Sequence, residues 1–318
     1  RLRLASARLP RPLRMRMRPV TVVNVDTVLE VAQGTVLVVS NVSGDIDVKA
    51  WGRPMVRLHA ERGGDDRILL EWRGNQLHLR SLGRYGEAGV DYHLTVPRQM
   101  ALQLTGVDSE IQVNGVDAPV QAQSVKGDVE VSDASGDLDL TSVEGEVRVA
   151  DARGRVQAGS VNNDVRLDHV SGPVDVQTIN GDIQLERLDS ERVDASSVNG
   201  NVVFASAFQP RGRYQLASHN GDLVVGVPNG AGLDVSVRSY NGTFSSSFPV
   251  RLPALKGHHF QFAVGRGGSD LQLESYQGAI QMLKMDEIRR QLDRLRTRMQ
   301  AHMAPEAPQP PTPEENDK

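Results

Sequence analysis

Along most of this chain, apolar residues fall at every second position, in short bursts separated by a glycine step. Consecutive nine-residue segments beginning at Gly127 show it: GDVEVSDAS, GDLDLTSVE, GEVRVADAR, GRVQAGSVN, NDVRLDHVS, GPVDVQTIN and GDIQLERLD. The third and fifth residues of each are apolar, as in Val129 and Val131, Leu138 and Leu140, or Ile183 and Leu185. The residue between them is polar, as in Glu130, Asp139, Arg148 and Gln184. Alternation at spacing two predicts a strand with one buried face. The eighth residue is usually apolar too (Ala134, Val143, Ala152, Val161, Val170, Ile179, Leu188) and is expected to plug the core at the turn.

Alternate units resemble each other, so the full period is eighteen. Ser124, Ser142, Ser160 and Thr178 mark it, three residues before Gly127, Gly145, Asn163 and Gly181; Ser197 keeps the same place before Gly200. Two units make one flattened coil, and coils stack by parallel pairing. The chain therefore reads as all-β, a β-solenoid (a two-sided parallel β-helix or β-roll) with 18-residue coils. Glycine opens most units because it tolerates positive φ and close backbone approach, and Asn163 is read as its substitute. Downstream the coils lengthen, with Gly200, Gly221 and Gly242 spaced by twenty-one. An excursion from about Phe248 to Gly268 precedes a last unit at Ser275–Ile280. Roughly nine coils at about 4.8 Å each predict a rod of about 40–45 Å.

The pattern changes at both ends. Residues 1–18 form an Arg-rich leader, expected to be disordered, and 19–99 a β-rich N-terminal cap with a hairpin around Gly74-Asn75. The regular solenoid spans 100–281. In 282–303, Met285, Ile288, Leu292, Leu295 and Met299 follow spacings of three and four, which predicts an amphipathic helix. That stripe either covers the last coil or joins copies of the chain into an oligomer. Residues 304–318 are Pro-rich and acidic, the composition of a disordered tail.

Cysteine is absent and aromatic residues make up 4%, which suits a thin core of Val, Leu, Ile and Ala. The leader carries seven Arg and no acid, so the remainder has 29 basic against 40 acidic residues. An acidic body of that kind is a poor nucleic-acid binder. No stretch of eighteen apolar residues occurs, so no transmembrane segment is expected.

The Gly-Asp step is similar to that of calcium-binding β-rolls, but GGxGxD does not occur and Arg155 holds the Asp position in one unit. No metal or cofactor is therefore expected. Asn162, Asn180, Asn199, Asn220 and Asn241 recur once per coil and predict a structural ladder of side-chain amides, with the Ser/Thr row bonding coil to coil beside it. Carboxylates are abundant, but no GxSxG, HExxH or Walker pattern appears, and no catalytic residue is assigned.

The motif Ser-Val-x-Gly-Asp-Val/Ile-x-Val/Leu at Ser124–Val131 and Thr178–Leu185 resembles a bacterial family of adhesin-like domains of unknown function built from repeated short strands. Gly44–Gly52 (GDIDVKAWG) and Leu271–Ile280 (LQLESYQGAI) resemble that family's opening and closing strands. The resemblance implies a non-enzymatic envelope or surface protein, an adhesin or scaffold whose partner is an envelope glycan or protein. It implies a periplasmic or surface location if an export signal lies upstream, and a cytoplasmic one otherwise. Two other classes compete: a bactofilin-like cytoskeletal polymer and a polysaccharide-active β-helix enzyme.

Overall fold

A computed structural model describes residues 20–22, 25–62, 67–82, 89–250 and 258–293. The leader, the acidic tail, Leu295 and Met299 lie outside them. Two facing sheets, of 14 and 13 strands, make the body. Each coil gives one strand to each sheet, as Leu138–Ser142 to the first and Val147–Arg153 to the second. Successive coils pair in parallel and in register. Val129, Val147, Val165, Ile183 and Val202 form one inward row, and Leu138, Val156, Val174 and Val193 another. These rows are buried and meet between the sheets as one continuous core. The alternation thus becomes a stack in which each residue type repeats once per coil.

Glycine is favoured where coils approach. A Cβ on Gly145 would lie 1.9 Å from the Gly127 carbonyl oxygen, and one on Gly200 1.9 Å from that of Gly181. Asn163 occupies this row without a positive φ, so its place there is not a left-handed substitution. The opposite corner works differently. Asp133, Asp151, His169 and Arg187 adopt φ of 48°, 53°, 55° and 51°. That twist breaks the alternation and turns the next residue, Ala134, Ala152, Val170 or Leu188, into the core. The plug reading holds for these units. It fails for Val143, Val161 and Ile179, which follow inward-facing Ser142, Ser160 and Thr178 and therefore point outward.

Stacking order departs from chain order at both ends. Val36–Ser43 and Ile46–Trp51 pair in parallel with Ala101–Asp108 and Ile111–Asn114, while Gln76–Leu82 and Val90–Pro97 lie outside them. The parallel stack thus continues into the region read as a cap, as far as Gln76–Leu82 and Val90–Pro97. At the far end Ser269–Gln277 and Ile280–Lys284 insert between the coil of Arg213–Asn220 and Leu223–Val227 and that of Leu233–Ser239 and Phe244–Ser246. The last unit in sequence is therefore not the last coil in space. Antiparallel strands finish the stack: Arg67–Arg73 against Gln76–Leu82, Met55–Arg62 against Val90–Pro97, and His259–Val264 against Leu233–Ser239. Insertion pairs both edges of a terminal segment that would otherwise be exposed.

A helix over residues 285–293 follows Ile280–Lys284 directly. Met285, Ile288 and Leu292 are buried against Ala205, Val203 and Val224. A Cβ on Gly226 would meet Ile288 at 2.7 Å. The helix lies on the outer face of the second sheet, not over the end coil. Its stripe is covered by its own chain, which corrects the expectation that Met285, Ile288 and Leu292 offer an oligomer surface. The physical reason is local: outward positions that are polar in earlier coils, such as Arg148, Arg166 and Gln184, become Val203 and Val224 beneath the helix.

Candidate functional site

The marker residues serve the stack first. Ser124, Ser142, Ser160, Thr178 and Ser197 are all buried. Ser142 donates to the Gly127 carbonyl at 3.0 Å, Ser160 to Gly145 at 2.9 Å, Thr178 to Asn163 at 3.0 Å and Ser197 to Gly181 at 3.0 Å. Ser124 donates to the Ser109 carbonyl at 2.8 Å. The link between coils runs from hydroxyl to backbone, not from hydroxyl to hydroxyl. Ser142 also accepts from the Gly145 N–H at 2.9 Å. Ser142→Ala therefore strands two backbone groups in a buried turn and is expected to lower unfolding free energy by about 1–3 kcal/mol. Urea denaturation measures this, and a change below about 0.5 kcal/mol contradicts it.

The Gly-Asp step is a staple as well. Asp128 accepts from the Glu146 N–H at 2.8 Å, Asp164 from that of Asp182 at 2.8 Å, Asp182 from that of Asn201 at 2.7 Å, and Asp222 from that of Ala279 at 2.7 Å. Arg148 pairs with Asp128 and Arg166 with Asp164. One carboxylate oxygen of each Asp is thus committed to the next coil's backbone.

The amide row sits on the surface of one long edge. Asn180 donates to the Asn162 side-chain oxygen at 2.9 Å, Asn199 to that of Asn180 at 2.8 Å, and Asn220 to that of Asn199 at 2.8 Å. Asn241 does not follow. Gln277 stands opposite Asn220, and the Asn241 N–H donates to the Tyr276 carbonyl, because the inserted terminal strands come between.

Beside the amides runs an apolar row that the plug reading missed. In stacking order it runs through Val42, Val107, Val125, Val143, Val161, Ile179, Val198, His219, Tyr276 and Tyr240. Turn hydrogen bonds tie the row together: the Asn162 N–H donates to Val143, Asn180 to Val161, Asn199 to Ile179 and Asn220 to Val198. Among the described residues seven large hydrophobic side chains are markedly exposed, and six of them belong to this row: Val107, Val125, Ile179, Val198, Tyr240 and Tyr276. The row ends in stacked rings, His219 on Tyr276 at 4.7 Å, Tyr276 by Tyr240 at 5.2 Å and Tyr240 on His258 at 5.8 Å. The signal was present in the sequence. Period-two alternation from an inward Ser or Thr obliges the following Val or Ile to face out.

The surface among the described residues also carries hollows, two of which hold charged pairs. A cleft of about 490 Å³ at the opening coils is lined by Trp51, Arg53, Pro97, Arg98, Met100 and Asp117, among others. The Trp51 indole donates to the Met55 carbonyl at 2.7 Å, the Arg53 guanidinium lies 5.3 Å from its ring centre, and Arg98 pairs with Asp117. A smaller one of about 220 Å³ on the first sheet holds Asp175 and Asp194, directly opposite in register. Burial, and secondarily the Asp175 charge, hold the Asp194 carboxyl above the usual carboxylate range. No aromatic ring lines that hollow.

Residues 13–259 match the family described as Toastrack DUF4097. The chain belongs to the Toastrack family. This Toastrack chain is similar to a putative cell adhesion protein from Clostridium sporogenes, at 8% identity and a TM-score of 0.25, over 84% of this chain and 99% of that one. It is also similar to a putative adhesin from Bacteroides fragilis, at 12% identity and a TM-score of 0.38, over 83% of this chain and 97% of that one. No curated protein matches the sequence. No helix among the described residues is long and apolar enough to cross a membrane.

Proposed function

We propose that this Toastrack chain is a non-enzymatic, adhesin-like protein of the cell envelope, a stiff rod that engages macromolecular partners along one edge. The observation that carries this is the collection of exposed apolar side chains into a single row beside the amides. Contiguous exposed apolar surface on an otherwise polar protein marks an interaction site. The carboxylate pair Asp175 and Asp194 sits in a small hollow without an aromatic platform, which favours binding over glycan hydrolysis. Antiparallel strands at both ends favour a capped rod over end-to-end polymerisation.

The test is co-sedimentation of the purified full chain with isolated envelopes of its native host, together with surface labelling of intact cells. The wild type is expected in the envelope pellet. The double variant Val125→Lys, Val198→Lys is expected to lose at least about tenfold in binding, equivalent to about 1.4 kcal/mol, with an unchanged circular dichroism spectrum. Equal binding by both proteins, or a wild type confined to the supernatant, overturns the reading.

A further inference from the structure

The cleft at the opening coils lies where the second sheet hands its strands over to the first, the opposite corner from the apolar row. Its walls are apolar and fixed. Met100 is buried, Pro54 and Pro97 line the cleft with it, and the Trp51 indole is anchored by its bond to the Met55 carbonyl. We infer that this cleft is the dock for the chain's own Pro-rich tail, with Pro308 and Pro311 against the apolar walls and Glu314 against Arg53. The inference concerns a second surface and does not depend on what the apolar row binds.

The tail has the sequence for it. Residues 305–315 read PEAPQPPTPEE. A segment this rich in proline suits polyproline II, which has three residues per turn. Pro305, Pro308 and Pro311 then share one face, and Glu314 continues it. Such segments dock in aromatic-lined grooves, and little entropy is lost because the conformation is preformed. Their carbonyls have no internal partner, and the exposed Gln33 and Gln99 side chains at the cleft supply donors.

Charge selects the occupant. Outside the Arg-rich leader the chain carries 29 basic against 40 acidic residues, yet the charged residues lining the cleft are Arg53, Arg98 and Asp117. Arg98 is paired with Asp117. Arg53 lies by the Trp51 ring, and no acid among the described residues pairs with it. The tail brings Glu306, Glu314, Glu315 and Asp317 to this excess of positive charge. The leader, with seven Arg and no acid, carries the cleft's own sign and is repelled from it.

The length suffices. The helix over 285–293 leaves Ile280–Lys284 and packs on Val224 and Val203, one and two coils nearer the opening end. Six coil steps then separate Val202–Ala205 from Ile46–Trp51, about 29 Å at about 4.8 Å each. Pro311 lies eighteen residues beyond residue 293. Even with ten of these at about 1.5 Å, the rise of a helix, and eight at about 3.1 Å, that of polyproline II, the reach is about 40 Å. A tether of this kind gives an effective concentration in the millimolar range, so a site with a Kd of about 1 mM is half filled or more.

The chain contains no cysteine, so Thr312→Cys takes a single bimane label, a fluorophore quenched on contact with tryptophan. The two tryptophans, Trp51 and Trp72, supply the control. Emission from the labelled full chain is expected to be lower by about half or more than from the same chain carrying Trp51→Phe, whereas Trp72→Phe leaves the quenching in place. Dilution should not change it. The double variant Pro308→Ala, Pro311→Ala should relieve it while the cleft and the circular dichroism spectrum stay intact. Emission that is the same with and without Trp51, or with and without the two prolines, overturns the inference and leaves the cleft to a foreign ligand. Quenching that vanishes on dilution would mean that the tail reaches the cleft of another copy, which overturns it as well.

Discussion

Gly145→Ala is expected to destabilise the native stack around its coil. The added Cβ would lie 1.9 Å from the Gly127 carbonyl oxygen, 2.3 Å from its carbon and 2.8 Å from the Asp128 nitrogen. All three are backbone atoms, so no side chain can rotate away. Relief requires the turn backbone to adjust, as it does where Asn163 stands in this row, and the parallel ladders on both sheets restrict that adjustment. Ordinary overpacking of a core by a methylene costs about 1–3 kcal/mol. Forcing the adjustment on a coil built around glycine is expected to reach the upper end of that range, about 3 kcal/mol. Gly52→Ala is the control, because its Cβ would meet nothing within 4 Å, and it should stay within about 0.5 kcal/mol of the wild type. Thermal and chemical denaturation measure both. In a solenoid the damage is expected to spread by nearest-neighbour coupling, so hydrogen exchange should show the coils flanking Gly145 opening first. A Gly145→Ala protein within about 1 kcal/mol of the wild type would mean that the close approach is not a constraint on the fold.

The same contrast explains what could be read in the sequence. Val129, Val147 and Val165 were legible because spacing two and period eighteen both act locally, and stacking merely repeats them. The two kinds of corner were harder, because they differ at the seventh residue of the unit. Ser142 and Ser160 keep the alternation, whereas Asp133, Asp151 and His169 break it with positive φ. Asp and His are among the residues that enter that region more readily, so the difference was written in the sequence and had only to be joined to the alternation. The place of Ser269–Gln277 was not legible. Glycine spacing reports how long a coil is, but not which coil it lies against. Insertion between Arg213–Asn220 and Leu233–Ser239 is decided by ladders formed across the intervening chain. The helix presented the same difficulty. Met285, Ile288 and Leu292 announce a buried face, but only the apolar outward positions Val203 and Val224 say where it docks.

Phe204→Ala is expected to be the most damaging truncation of an apolar side chain, at about 3–5 kcal/mol. The coil from Gly200 to Gly221 carries three residues more than the regular period, and the added width must be filled. Phe204 and Tyr214 fill it from facing sheets with ring centres 5.6 Å apart, and Phe208 closes the corner 5.1 Å from Phe204 and 4.8 Å from Tyr214. Both Phe204 and Tyr214 have no measurable exposure. The Tyr214 hydroxyl accepts from the Gln209 N–H at 2.6 Å and donates to the Ser190 carbonyl at 2.7 Å, so the cluster also holds the corner loop. Removing the phenyl ring leaves a cavity that the sheets cannot close, because Leu185 and Val225, in register with Phe204 on either side, hold the neighbouring coils in place. Leu185→Ala, one coil away and in register with Phe204, is the comparison. It removes a smaller group from a narrower coil and should cost less within the range of about 2–5 kcal/mol for such changes. If Phe204→Ala proves the milder of the two, the aromatic cluster is packing incidental to the wider coil, and the coil's width must be held by its ladders alone.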